Sequence, residues 1–178
     1  AIPGSTVLEM SDAVMFNDIL TQSSTFKGVT YIRIKRKAMP AIYKEGTTFK
    51  IGTGCVLKEG HDAVIVATGI MLEEALKASK ICAEKHVSVA VIDMFSIKPL
   101  DHDLLKRYAK KTRHVVTAEN HNLVGGLYAA VCESLSGEKD IVIDAIGVDE
   151  SFGQVGLSPY LKEVYHLTAQ DIVKKILT

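Results

Sequence analysis

Residues Ala63 to Ile92 read AVIVATGIMLEEALKASKICAEKHVSVAVI. The run Ala63 to Ala67 (AVIVA) is apolar throughout, without the polar alternation of a half-exposed strand, so it belongs in a sheet covered on both faces. Met71 to Lys85 then reads as an amphipathic helix. Leu72, Ala75, Leu76, Ser79 and Ala83 line one side, and Glu73, Lys77, Lys80 and Glu84 the other. Val87 to Ile92 (VSVAVI) is a second buried strand. A strand, a helix of this length and a second strand make a parallel crossover unit.

The same alternation continues on both sides. Downstream, Pro99 stops the chain from continuing simply, and Asp101 can cap a helix whose Leu104, Leu105, Tyr108 and Ala109 face inward. His114 to Ala118 is a strand, Gly125-Gly126 opens a helix through about Leu135, and Ile141 to Ile146 is another strand. Ser158-Pro159 is expected to give an N-cap followed by Pro at the first helical position. Thr168 with Asp171 resembles a capping box, Asp standing in for Glu. Upstream, Ile51 to Leu57 ends at the turn Glu59-Gly60, and the short connection predicts a strand antiparallel to its neighbour. Residues 49–178 are therefore expected to form an α/β domain, three-layer αβα with a mostly parallel five-stranded sheet.

Residues 1–48 differ. Thr6 to Leu8 and Thr30 to Lys35 (TYIRIK) read as strands around a helix capped by Asp12 and running through Leu20. One strand–helix–strand unit cannot bury both faces of its sheet. The segment is expected to be the tail of a domain that begins outside this sequence, joined by a polar linker, Pro40 to Thr48. The alternative is an extra edge layer on the main domain.

Composition narrows the functional classes. With 178 residues, 47% of them hydrophobic, the chain can bury a core and is not disordered. Lys and Arg number 21, as do Asp and Glu, which argues against a surface built mainly for nucleic acid or anionic lipid. Aromatics are scarce and Trp is absent, so a base-stacking platform is not expected. The apolar runs are strand-length, well below the roughly 20 residues of a membrane helix. Ala1-Ile2-Pro3-Gly4 has no basic stretch or apolar core of a secretion signal. Cys55, Cys82 and Cys132 are an odd, widely spaced set without paired His. They fit neither a zinc site nor a disulfide framework, and point to a reducing, cytoplasmic setting.

Three motifs invite chemistry. Gly52-Thr53-Gly54 fails to complete a G-x-G-x-x-G because Leu57 follows. Thr68-Gly69 follows a strand and precedes a helix, where an anion can sit on free N–H groups, but an ordinary βα turn reads the same way. Glu119 and His121 lie just past a strand, at the carboxyl edge where α/β sheets place sites; either acid–base work or loop-fixing hydrogen bonds would use them. No nucleophile or metal-ligand partner stands at a convincing spacing, so no catalytic or metal residue is assigned. The dense basic cluster is Arg33, Lys35, Arg36 and Lys37. On an extended strand residues 33, 35 and 37 point one way and Arg36 the other. A guanidinium fork suits a phosphate; a solvated strand end is the competing reading.

Taken together, the motifs resemble the C-terminal part of thiamine-diphosphate-dependent transketolases. The most specific is S-I-K-P-L-D (Ser96 to Asp101), supported by V-V-T-A-E-N-H (Val115 to His121) and G-G-L (Gly125 to Leu127). I-G-T-G-C-V-L-K-E-G with A-V-I-V-A-T-G matches the start of that family's terminal domain. D-E-S-F-G-Q-V-G (Asp149 to Gly156) and L-T-A-Q-D-I-V (Leu167 to Val173) match its end. Upstream, V-L-E-M-S-D-A (Val7 to Ala13) and Y-I-R-I-K-R-K-A-M-P (Tyr31 to Pro40) resemble the last two strands of the family's pyrimidine-binding domain. Met10 departs from the family, which usually has Pro before Ser-Asp. Deoxyxylulose-phosphate synthases and 2-oxoacid dehydrogenase β subunits share the terminal domain, but Phe95-Ser96-Ile97 and Ser151-Phe152-Gly153 look more like transketolase.

The resemblance implies a share in transferring a two-carbon ketol unit between sugar phosphates, in the pentose phosphate pathway. Arg36, in the R-x-x-x-P spacing with Pro40, would bind the sugar phosphate. Thiamine diphosphate and Mg²⁺ belong to the complete enzyme, and their ligands and the activating Glu lie in parts this sequence lacks. The chain alone is thus expected to bind no cofactor and to be inactive. Its expected partners are the N-terminal and remaining pyrimidine-binding parts of the enzyme, with a homodimer formed through the C-terminal domain. Two alternatives stand beside this: a non-catalytic dimerisation or regulatory module using Thr68, Glu119 and His121, and a nucleotide-binding domain resting on the incomplete Gly signals.

Overall fold

The fully apolar strand Ala63–Ala67 does lie at the middle of the larger sheet. The computed structural model describes residues 2–37 and 39–178. Elements follow in the order β1 (Thr6–Glu9), α1 (Ala13–Ser23), β2 (Thr30–Arg33), β3 (Cys55–Lys58), β4 (Ala63–Ala67), α2 (Met71–Glu84) and β5 (Val89–Asp93). Then come β6 (Ser96–Lys98), α3 (His102–Thr112), β7 (His114–Asn122), α4 (Leu127–Leu135), β8 (Val142–Val148), α5 (Ser158–Val164) and α6 (Ala169–Leu177).

The larger sheet has five strands in the order β3-β5-β4-β7-β8. β5, β4, β7 and β8 are parallel and β3 is antiparallel. Every residue of β4 and β5 is buried. Ala63, Ile65 and Ala67 pack with α2 and α6, while Val64 and Val66 pack on the other face with α3 and α4. This is the expected three-layer α/β architecture, with apolar burial on both faces of the sheet as its main stabilising force.

Local signals position the helices. Asp101 caps α3, accepting from Leu104 N–H at 3.0 Å, and the capping box of Thr168 and Asp171 opens α6. Several expectations need correction. β3 begins at Cys55, because Ile51 to Gly54 forms a turn whose Gly54 N–H donates to Asp101 at 3.0 Å. Its antiparallel neighbour is β5, not β4 to which the short turn leads. In α2 the buried stripe runs through Ala78 and Cys82, with Leu76 half-buried and Ala83 exposed. α5 starts at Ser158 itself, Leu157 precedes it, and no side chain caps it. β7 continues past Ala118 to Asn122. β2 stops at Arg33, so strand alternation does not govern Arg36, which lies in a bend.

A smaller sheet, β2-β1-β6, joins the first 33 residues to the stretch before Pro99. β1 and β2 are parallel, and β6 is antiparallel to β1. Leu8, Met10, Met15, Ile19, Phe49 and Phe95 form its core. Asp12 caps α1 through Met15 N–H at 2.9 Å, and its other oxygen accepts from Ile42 and Tyr43 N–H at 2.9 and 2.8 Å. The irregular stretch that reads as a linker is thereby tied to α1. Among the described residues no helix is long and apolar enough to cross a membrane.

Candidate functional site

The carboxyl ends of β4, β7 and β8 meet the end of β1 and the chain after β2. Thr68 follows β4, wholly buried, with its hydroxyl lacking a partner among the described residues. Gly69 has φ +53°, and a side chain there would run into the Glu9 carboxylate from β1. Glu9 is itself buried, 3.2 Å from the Arg33 guanidinium. Burial pushes its carboxyl above the usual range, against the pull of Arg33.

Glu119 is buried and accepts from the N–H groups of Leu127 and Tyr128 at 2.6 and 2.8 Å. It therefore caps α4, and Gly126 leaves the room its carboxylate needs. Burial again pushes the carboxyl up, opposed by the two N–H bonds. His121 is exposed, with Nδ1 4.0 Å from Glu119 Oε2 and 2.8 Å from the Asn122 carbonyl oxygen. Glu119, His121, Glu9 and Arg33 border one cavity of about 90 Å³, with Thr68 outside its lining. Among the described residues no Ser, Thr or Cys lines that cavity.

Arg36 lies elsewhere on the same edge. Its exposed side chain borders a cleft of about 420 Å³ together with Lys35, Lys37, Asn120, Ser158 and Lys162. Lys162 is already paired with Glu74 at 2.7 Å. Lys35, Arg36 and Lys37 have no ion-pair partner among the described residues, and all three line the cleft. A smaller cavity of about 200 Å³ shares Lys35, Ile70, Asn120 and Ser158 with this cleft and reaches Glu9 and Arg33. The two make one groove, cationic at its outer end and holding a carboxylate paired with a guanidinium at its inner end. Such a groove suits a small anion bearing hydroxyl groups.

Sequence reasoning missed Glu9, Asn120 and Ser158 as groove residues. A charge at the end of an apolar strand was the available signal for Glu9; nothing local marked the other two. Among the described residues no three His, Cys, Asp or Glu side chains gather into a group that could hold a metal ion.

The family described as Transketolase, C-terminal domain, matches residues 52–172. A 6-deoxy-6-sulfo-D-fructose transketolase subunit of Clostridium sp. (strain MSTE9) is 39% identical over 97% of this chain and 54% of that protein. A putative transketolase C-terminal section of Methanocaldococcus jannaschii is 34% identical over 99% of this chain and 56% of that protein. A solved split-gene transketolase, described as an inactive β4 tetramer, superposes with a TM-score of 0.95 at 39% identity, over 99% of this chain and 58% of the other. The chain thus spans about half the length of the relatives it matches. With the sheet order, the motifs and these likenesses in agreement, the chain belongs to the transketolase family and carries its C-terminal domain.

Proposed function

We propose that this chain works with a complementary part of the enzyme to transfer a two-carbon ketol unit between sugar phosphates, contributing the contact to the substrate's anionic end. The observation that carries this reading is the placing of Arg36 between Lys35 and Lys37 on a cleft at the carboxyl edge of the sheet. A guanidinium fork gives a phosphate two parallel hydrogen bonds, and the flanking lysines add charge attraction. The complementary part would hold thiamine diphosphate and Mg²⁺. Residues 1–48 fit the end of the pyrimidine-binding domain, and the enzyme would act in the cytoplasm.

A sulfonate is the second reading for the anion, favoured by the sulfosugar in the name of the Clostridium relative. Its tetrahedral oxygens suit the same fork. Turnover assays test both readings. This chain mixed with its complementary part should transfer the ketol unit between sugar phosphates, and neither part should do so alone. Turnover by this chain alone would contradict the division of labour. A preference for 6-sulfofructose over the phosphate would assign the sulfonate.

A further inference from the structure

Between β8 and α5 the chain runs through Asp149 to Leu157 without regular structure. Phe152 and Val155 are wholly exposed, and Leu157 and Tyr160 are largely so. The backbone beneath them is nevertheless held from within. Gln154 N–H donates to the Tyr165 hydroxyl at 3.0 Å, and that hydroxyl donates to the Phe152 carbonyl at 3.3 Å. The segment is thus tied to Tyr165 while presenting apolar side chains to water, the pattern of a contact surface awaiting a partner.

Its other side faces the anion cleft, where Gly153, Gln154, Gly156 and Ser158 line the wall opposite Lys35 and Arg36. We propose that Phe152, Val155 and Leu157 dock the complementary, cofactor-holding part of the enzyme, and that docking closes the Arg36 cleft over the substrate's anionic end. This rests on the function proposed above.

Two observations select that occupant over a second copy of this chain. The apolar segment forms the rim of the groove, so whatever completes the substrate site must approach across it. The two relatives are themselves described as a transketolase subunit and a transketolase C-terminal section, names that imply a further part of the enzyme to be seated. Around the apolar residues, Asp149 and Glu150 on one side and Lys35 to Lys37 on the other give a rim of both signs, as protein interfaces have.

The test substitutes Phe152→Ser and Val155→Ser together in the protein and measures association with the complementary part by sedimentation velocity. Val142→Ser, an exposed position at the opposite end of β8, serves as the control, and circular dichroism follows the fold of both variants. The double variant should weaken association roughly tenfold or more, as loss of buried apolar contacts does at interfaces. It should also raise the KM for the sugar phosphate, while V142S changes neither. Unchanged association would overturn the proposal, and so would a loss confined to contacts between copies of this chain. Absence of ketol transfer in the unsubstituted complex would instead count against the proposed function, so the two failures are distinct.

Discussion

The Tyr43 hydroxyl donates a 2.7 Å hydrogen bond to Oδ2 of Asp93, joining residues 50 positions apart. This bond ties the irregular stretch before the five-stranded sheet to the end of β5. Asp93 is fully buried, and its Oδ1 and the Ser11 hydroxyl have no partner among the described residues. Burial pushes its carboxyl up to about 7, against the Tyr43 hydroxyl, with Asp12 and Glu9 adding repulsion. Removing the hydroxyl with Tyr43→Phe should cost about 1–3 kcal/mol, read as a melting point lowered by roughly 2–10 °C in a protein of this size.

The same carboxyl sets a pH dependence of unusual sign. Between about pH 4 and 7 the folded protein holds the Asp93 proton while the unfolded chain, at the ordinary pKa of about 3.9, has released it. The folded state binds more protons there, so this group's contribution to stability falls as pH rises and levels off above 7. Asp93→Asn should flatten that fall. Urea denaturation from pH 4 to 8 checks it; a variant whose stability follows the parent's pH profile would show that Asp93 is ionised throughout.

Glu119 caps α4 through two backbone N–H groups, and among the described residues no Ser, Thr or Cys lines the cavity it borders. Glu119→Ala should therefore destabilise the protein by roughly 2–4 kcal/mol, two charge-assisted bonds being lost inside a buried site. The Leu127 and Tyr128 amides should exchange with deuterium faster. Gly126→Ala should act in the same direction, because its new methyl group would occupy the space of the Glu119 carboxylate. An equally large loss of kcat in the complete enzyme with no loss of stability would assign Glu119 a chemical role instead.

Glu74 joins α2 to the last two helices. Its carboxylate accepts from Lys162 Nζ at 2.7 Å and from Ala169 N–H at 3.0 Å. Burial works against the charge, but the Lys162 and Ala169 bonds outweigh it and hold the carboxyl below its usual range. A lowered folded pKa means stability that is present above the unfolded value of about 4.3 and lost as pH falls through the folded one. Glu74→Gln should cost about 1–3 kcal/mol at pH 7 and lose less than the parent on acidification below pH 5. Thermal melts at pH 7 and pH 3.5 compare the two.

The buried runs, the caps and the motifs carried most of the architecture. AVIVA reads as a covered strand because no polar residue interrupts it, and Asp12, Asp101 and Thr168 marked helix starts through short side chains that reach the next turn. Local patterns said less where distant parts decide. Ser96 to Lys98 is a strand only because β1 lies beside it; three residues before a proline carry no period of their own. Glu9 is tolerated in the interior because Arg33, 24 positions later, approaches it. The groove was legible at Arg36, through a family motif, while Glu119 and His121 line a separate cavity on the same edge. The groove's Asn120 and Ser158 walls come from the end of β7 and the start of α5, stretches far apart in the chain whose meeting no local spacing records.

The central claim is that Arg36 meets the anionic end of the substrate, and Arg36→Ala in the complete enzyme tests it most directly. Losing a bidentate, charge-assisted contact should raise the KM for a sugar phosphate roughly 10–100-fold with kcat little changed. The KM for an uncharged sugar acceptor should stay as it was, and Arg36→Lys should recover part of the loss. An unchanged KM for the sugar phosphate in the Ala variant, with ketol transfer intact, would contradict the account.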